Sequence, residues 1–263
     1  MLKENIDNTI TADNLTIGYT DKKNVKIVKT TLNFKAVKGE FICLIGKNGV
    51  GKSTLLKTLS KVLPKIEGTV LIHNKAIELI DQKTFSNLVS VVLTDQLPES
   101  NLTVFELVAL GRQPHTNWID KLSKTDKYSI INALRITNTI HLKNNNIFEL
   151  SDGQLQKVLI ARSIAQDTPI IILDEPTAHL DIQHKIETFQ LLKRLSKEVN
   201  KTIVISTHEI HWAIEMADRI WLMTDSDFYT DTPNNLKSNN RFDELFKSDL
   251  VTFDAKTNQF KIS

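Results

Sequence analysis

The chain has 263 residues, 41% hydrophobic and 24% charged, enough apolar material for a sizeable α/β core with inserted elements. Lys and Arg number 33 against 31 Asp and Glu, and the resulting net charge of +2 is too balanced for non-specific attraction to nucleic acid, so no nucleic-acid partner is expected. The single cysteine, Cys43, cannot form an internal disulfide, and no apolar run approaches the ~20 residues that span a bilayer.

From the N-terminus, residues 1–8 carry acids and amides where a secretory signal would be apolar, which predicts retention in the cytoplasm. Residues 25–28 and 32–34 alternate apolar and polar as half-exposed antiparallel strands do, and 41–45 form a continuously apolar, buried strand. Directly after it stands Gly46-Lys47-Asn48-Gly49-Val50-Gly51-Lys52-Ser53-Thr54, which fits the phosphate-loop pattern GxxxxGK[ST]. Gly46 and Gly51 let backbone N–H groups close on phosphate oxygens, Lys52 reaches the β and γ phosphates, and Ser53 offers a hydroxyl to Mg²⁺. The helix that follows points its positive end at the same anion.

Strands are predicted at 69–72 and 88–93. From 97 to 153 the texture changes: 104–110 and 128–134 have helical spacing and strand signals disappear, which predicts an inserted helical subdomain. A helix at 154–165, strand 170–173, helix 182–199, strand 202–206, helix 210–217 and strand 219–223 then alternate, the pattern of a mostly parallel sheet covered on both faces. Strand 170–173 ends in Asp174 and Glu175, which places one carboxylate near Mg²⁺ and the other as general base for a water attacking the γ phosphate. The tail from 224 on is rich in Asp, Asn, Ser and Thr over 225–240, with a short helix predicted at 242–250 and a strand at 251–253.

Leu150-Ser151-Asp152-Gly153-Gln154 resembles the LSGGQ signature of ATP-binding cassette (ABC) ATPases, and it stands between the helical insert and the Asp-Glu strand, as in that family. The resemblance covers nearly the whole chain. Tyr19 is similar to the aromatic residue that stacks on adenine, Gln96 to the glutamine that joins Ser53 and Asp174 around Mg²⁺, Asp181 to the D-loop aspartate and His208 to the switch histidine at the γ phosphate. Asp152 departs from the pattern, since a carboxylate in place of the first signature glycine would repel a phosphate unless it points away. Glu209 stands where aspartate is common, and Leu155 where many relatives carry a basic residue.

What the resemblance implies is one ABC nucleotide-binding domain over 1–263: a phosphate-loop core with a mostly parallel sheet, an N-terminal antiparallel β subdomain and the helical insert. It implies ATP hydrolysis with Mg²⁺, and a head-to-tail homodimer in which Ser151, Asp152, Gly153 and Gln154 of one copy complete the ATP site of the other. It also implies permease subunits docked on the insert at the cytoplasmic face of the plasma membrane, with an extracytoplasmic substrate-binding protein as an indirect partner. The segment 107–116, Leu-Val-Ala-Leu-Gly-Arg-Gln-Pro-His-Thr, resembles the branch that imports ferric siderophores, haem and cobalamin. Iron-chelate import is therefore the leading expectation. Haem or cobalamin import, or a soluble scaffold ATPase of the iron–sulphur assembly type, are the alternatives. His115, His179 and His184 lack Cys partners and paired ligand spacing, so no metal site is expected there.

Overall fold

The computed structural model describes residues 7–21, 24–93, 100–116, 121–178, 180–246 and 251–262. Gln96 and His179 lie outside the described residues. In chain order the elements are β1 (Asn8–Asp21), β2 (Asn24–Val37), β3 (Phe41–Gly46), α1 (Lys52–Leu59), β4 (Glu67–Ile72), β5 (Lys75–Ala76), α2 (Gln82–Leu88), β6 (Val89–Val92), α3 (Val104–Ala109), α4 (Lys124–Ile136), α5 (Asp152–Ala165), β7 (Ile170–Leu173), α6 (Ile182–Glu198), β8 (Thr202–Ser206), α7 (Ile210–Met216), β9 (Arg219–Met223), β10 (Phe228–Asp231), α8 (Pro233–Ser238), β11 (Val251–Asp254) and β12 (Gln259–Ile262).

A six-stranded sheet in the order β10-β9-β3-β8-β7-β6 is parallel except for the edge strand β10, and a separate antiparallel sheet runs β2-β1-β4-β5. Alternate residues of β3 enter two different cores. Phe41, Cys43 and Ile45 pack with α5, α6 and the helical insert, while Ile42 and Leu44 pack with α1 and the antiparallel sheet. A strand buried on both faces must be apolar throughout, which is why residues 41–45 and 170–173 read as unbroken apolar runs. Burial pushes the Cys43 thiol well above its ordinary pKa, with Asp218 a smaller cause, so it acts as a small apolar side chain in that core.

The insert is fastened to α5 by two features of the segment 107–116. A Cβ on Gly111 would come within 2.3 Å of Arg162 O, so this backbone approach needs glycine. Arg112 is buried: its Nε donates to Asp126 Oδ1 at 2.9 Å and its Nη1 to Ala165 O at 2.8 Å. The Ser123 hydroxyl, and then Arg112, hold the Asp126 carboxyl below the usual carboxylate range. His115 Nε2 lies 2.8 Å from Gln166 O, a further tie to the end of α5.

Several elements differ from those predicted. The separate strands 25–28 and 32–34 are parts of one long β2, and residues 8–21 form β1, so Tyr19 is on a strand rather than before the first strands. Asn14 at φ 47° and a register shift between Ala12 and Leu15 break the alternation that would have revealed β1. The strand predicted at 88–93 spans Val89–Val92, because Leu88 ends α2, whose N-terminus Asp81 caps by accepting the Thr84 N–H at 2.9 Å. Helix α5 begins at Asp152, two residues earlier than predicted. In the tail, Phe228–Asp231 extends the sheet and Thr232-Pro233 starts α8, with Thr232 as cap and Pro233 in the first turn. Of the helix predicted at 242–250, residues 247–250 lie outside the described residues and the described part is a 3₁₀ turn over Arg241–Leu245; the hairpin of β11 and β12 packs Phe253 against Phe242 and Phe260.

Candidate functional site

Parallel strands β3, β7 and β8 are neighbours, so their carboxyl ends bring the Gly-rich loop, the Asp174-Glu175 pair and the segment 206–208 to one edge of the sheet. The loop leaves β3 at Gly46, where a Cβ would meet Met223 O at 2.5 Å. It enters α1 through Gly51 at φ 117°, a left-handed backbone that glycine adopts without strain. Tyr19, Lys26, Ile27 and Val28 of the antiparallel sheet face Asn48, Gly49, Gly51, Lys52, Ser53, Thr54 and Glu175 across a cavity of about 480 Å³. Gly46, Lys47 and Val50 do not line it, and Lys47 Nζ lies 3.2 Å from Asp225 Oδ2.

Lys52 is buried, with Nζ donating to Gly46 O at 2.9 Å and Lys47 O at 3.1 Å. Burial pushes its ammonium below the ordinary pKa, while the Glu175 and Asp174 carboxylates push it back up. A cation already dehydrated and ringed by loop carbonyls is placed to exchange those weak partners for phosphate oxygens. Glu175 Oε1 lies 2.6 Å from His208 Nε2 and 3.8 Å from Lys52 Nζ, and His208 Nε2 is 3.4 Å from that same ammonium.

Glu175 adopts φ 47°, a left-handed conformation costing a non-glycine residue about 1–2 kcal/mol. The Ser206 hydroxyl accepts the Glu175 N–H at 2.8 Å and donates to Asp174 Oδ1 at 2.5 Å, so one side chain holds the Glu175 backbone and orients the Asp174 carboxylate. Ser206 escaped the sequence reading. Its signal is a hydroxyl directly after the apolar run 203–205, in a chain where another apolar strand ends in two acids. Asp174 itself is buried, with its N–H donated to Val92 O at 2.8 Å.

The other predicted residues are folded differently. Ser151 caps α5: its hydroxyl accepts the Gln154 N–H at 3.3 Å while Gln154 Oε1 accepts the Ser151 N–H at 3.0 Å. Asp152 is exposed in the first turn, and none of Ser151, Asp152, Gly153 or Gln154 lines the cavity. Asp181 caps α6, accepting from His184 N at 2.9 Å and pairing with His184 Nδ1 at 2.8 Å, hydrogen bonds that lower its pKa. Gly153 faces Leu180 and His184, so the signature segment and the D-loop pack together within one chain. Tyr19 is half exposed, and its hydroxyl lies 3.1 Å from Thr54 Oγ1. Gln96, predicted for Mg²⁺, lies outside the described residues. Among the described residues no cluster of three or more His, Cys, Asp or Glu gathers as a metal site.

Residues 30–178 match the family model described as ABC transporter. The iron(3+)-hydroxamate import ATP-binding protein FhuC of Bacillus subtilis is 39% identical over 208 residues, covering 78% of this chain and 75% of that protein. The petrobactin import ATP-binding protein FpuD of Bacillus anthracis is 36% identical over 215 residues, 82% of this chain and 77% of its own. A dimeric ATP-binding cassette solved in a post-hydrolysis state with ADP and Pi is similar with a TM-score of 0.75 at 28% identity, covering 85% of this chain and 98% of that one.

Proposed function

The chain belongs to the ABC transporter family as an ATP-hydrolysing cassette, and on that premise we propose that it energises uptake of iron chelates through a separate membrane permease. Two relatives named for hydroxamate and petrobactin import support the cargo class. We read residues 1–263 as one cassette, with the helical subdomain at about 97–153 and the tail from about 224. Among the described residues no helix is long and apolar enough to cross a membrane. The proposed location is the cytoplasmic face of the plasma membrane, held there by the permease. Leu110 and Tyr128 leave exposed apolar surface on the insert for that docking.

The observation that carries the chemistry is the 2.6 Å approach of Glu175 Oε1 to His208 Nε2 beside the Lys52 ammonium. Glu175 takes a proton from water as its oxygen bonds to the γ phosphorus, the bond to the β-phosphate oxygen breaks, and ADP and phosphate leave. His208 fixes the direction of the carboxylate and reaches the γ phosphate, and Lys52 with the loop N–H groups holds the charge that builds on the phosphate oxygens. The donors Ser53 and Asp174 are oxygen atoms only, the set that suits Mg²⁺. Gln96 is proposed as a further donor. Bound Mg²⁺ would neutralise charge on the β and γ oxygens.

Ser151, Gly153 and Gln154 are proposed to act on the ATP of a second copy, so that two ATP molecules close a homodimer and hydrolysis opens it. A pull-down from detergent-solubilised membranes tests the transport reading. A co-purifying permease, with ATPase stimulated by a binding protein loaded with a ferric chelate, is the expected result. Stimulation by a haem- or cobalamin-loaded binding protein would replace the cargo, and recovery of soluble partners alone would overturn import.

A further inference from the structure

The first two turns of α6 are tied to both neighbouring elements by ion pairs. Glu187 Oε2 lies 2.6 Å from Lys157 Nζ of the signature helix α5, and Lys185 Nζ lies 2.5 Å from Glu209 Oε1, immediately after His208. Both members of the second pair are largely shielded, with side chains 23% and 29% exposed. Glu209 stands at the N-cap of α7 but makes no side-chain cap to it, so its carboxylate is turned to α6 instead. The backbone around it is tightly held: Thr207 N–H donates to Leu44 O at 3.1 Å, Glu209 N–H to Thr207 Oγ1 at 3.0 Å, and Ile210 N–H to His208 O at 3.0 Å.

We propose that Lys185 is a positioning residue for ATP hydrolysis, holding His208 against Glu175 through its ion pair with Glu209. The proposal rests on the reading of Glu175 and His208 as the hydrolytic pair. It gives α6 a task beyond its cap: the helix capped by Asp181 and fastened to the signature helix also fixes the loop that carries the switch histidine. A shift of α6 along its axis therefore moves His208. Glu187, two residues on and turned to another face of α6, pairs with Lys157 and ties the same helix to α5.

The test is kcat for ATP hydrolysis and the Kd of a fluorescent ATP analogue, measured on the purified full chain. Lys185→Met and Glu209→Gln are expected to lower kcat roughly 10- to 100-fold, the cost of misplacing a reacting group by about an ångström. Analogue affinity should stay within about twofold, since the phosphate loop is untouched. Lys185→Arg, and the charge swap Lys185→Glu with Glu209→Lys, should recover most of the turnover. A Lys185→Met chain with wild-type kcat, or a swap no better than the single variants, would overturn the proposal. His208→Ala in the same series separates the two layers, because normal turnover there would sink the underlying reading and the proposal with it.

Discussion

Two regions of this chain are proposed to share the nucleotide chemistry, and they differ in how their polar groups are engaged. At the ends of β3, β7 and β8, Lys52, Glu175 and His208 stand 2.6–3.8 Å from one another, beside a cavity large enough for part of a nucleotide. At the starts of α5 and α6, Ser151, Gln154, Asp181 and His184 have their polar groups engaged in their own helix caps, and they border no part of that cavity. The first region gathers its charged groups around a cavity. The second is a surface of capped helix starts, proposed to meet the ATP of a second copy, and its caps hold those starts in place without a ligand. On the proposed division between two copies, such a site works only as a pair, and association becomes part of the catalytic cycle.

The sharpest break in the first region is Glu175→Gln. Loss of a general base should cut turnover by about 10²–10⁴ while ATP binding persists and the closed pair accumulates, as single-turnover assays and size-exclusion chromatography would show. Normal hydrolysis by that variant would remove Glu175 from its role. The second region depends on the insert, and Arg112→Ala breaks its fastening to α5. Leaving Asp126 buried without its partner should cost about 3–5 kcal/mol in urea unfolding. The lowered pKa of Asp126 means its carboxylate contributes fully above the unfolded value near pH ~4 and loses that contribution as pH falls through the folded value. Asp126→Asn should accordingly flatten the acid limb of the stability profile.

How far these regions were legible follows from how local their signals are. The Gly-rich loop and the Asp174-Glu175 pair are contiguous strings whose chemistry needs those residues at that spacing, so sequence reaches them directly. Ser206 is remote from both in sequence and becomes meaningful only when β8 lies beside β7. Gly111 and Arg112 were read as a mark of a subgroup, and the structure gives them a packing reason, a close backbone approach and a buried ion pair. β1 was hidden by the register slip around Asn14, and α8 by a polar segment whose Thr232-Pro233 start outweighs its composition.

Smaller effects sharpen the same contrast. Tyr19→Ala should weaken ATP binding by roughly 1–3 kcal/mol, the worth of one base stacked on an aromatic ring, with kcat at saturating ATP little changed. An unaltered affinity would place adenine elsewhere. Asp181→Ala removes a cap at the exposed start of α6 and should lower the thermal unfolding midpoint only slightly, while ATP affinity of the isolated chain is unaffected.

The division of the site between two copies is tested most directly by mixing two inactive variants, Lys52→Ala and Gly153→Asp. Alone, each pairs a defective half with itself at both sites. Mixed under conditions where the wild-type chain dimerises with ATP, they form heterodimers in which the intact loop of one copy meets the intact signature segment of the other. ATPase activity well above that of either variant alone is the predicted result. A mixture as inactive as its components would contradict a site completed in trans.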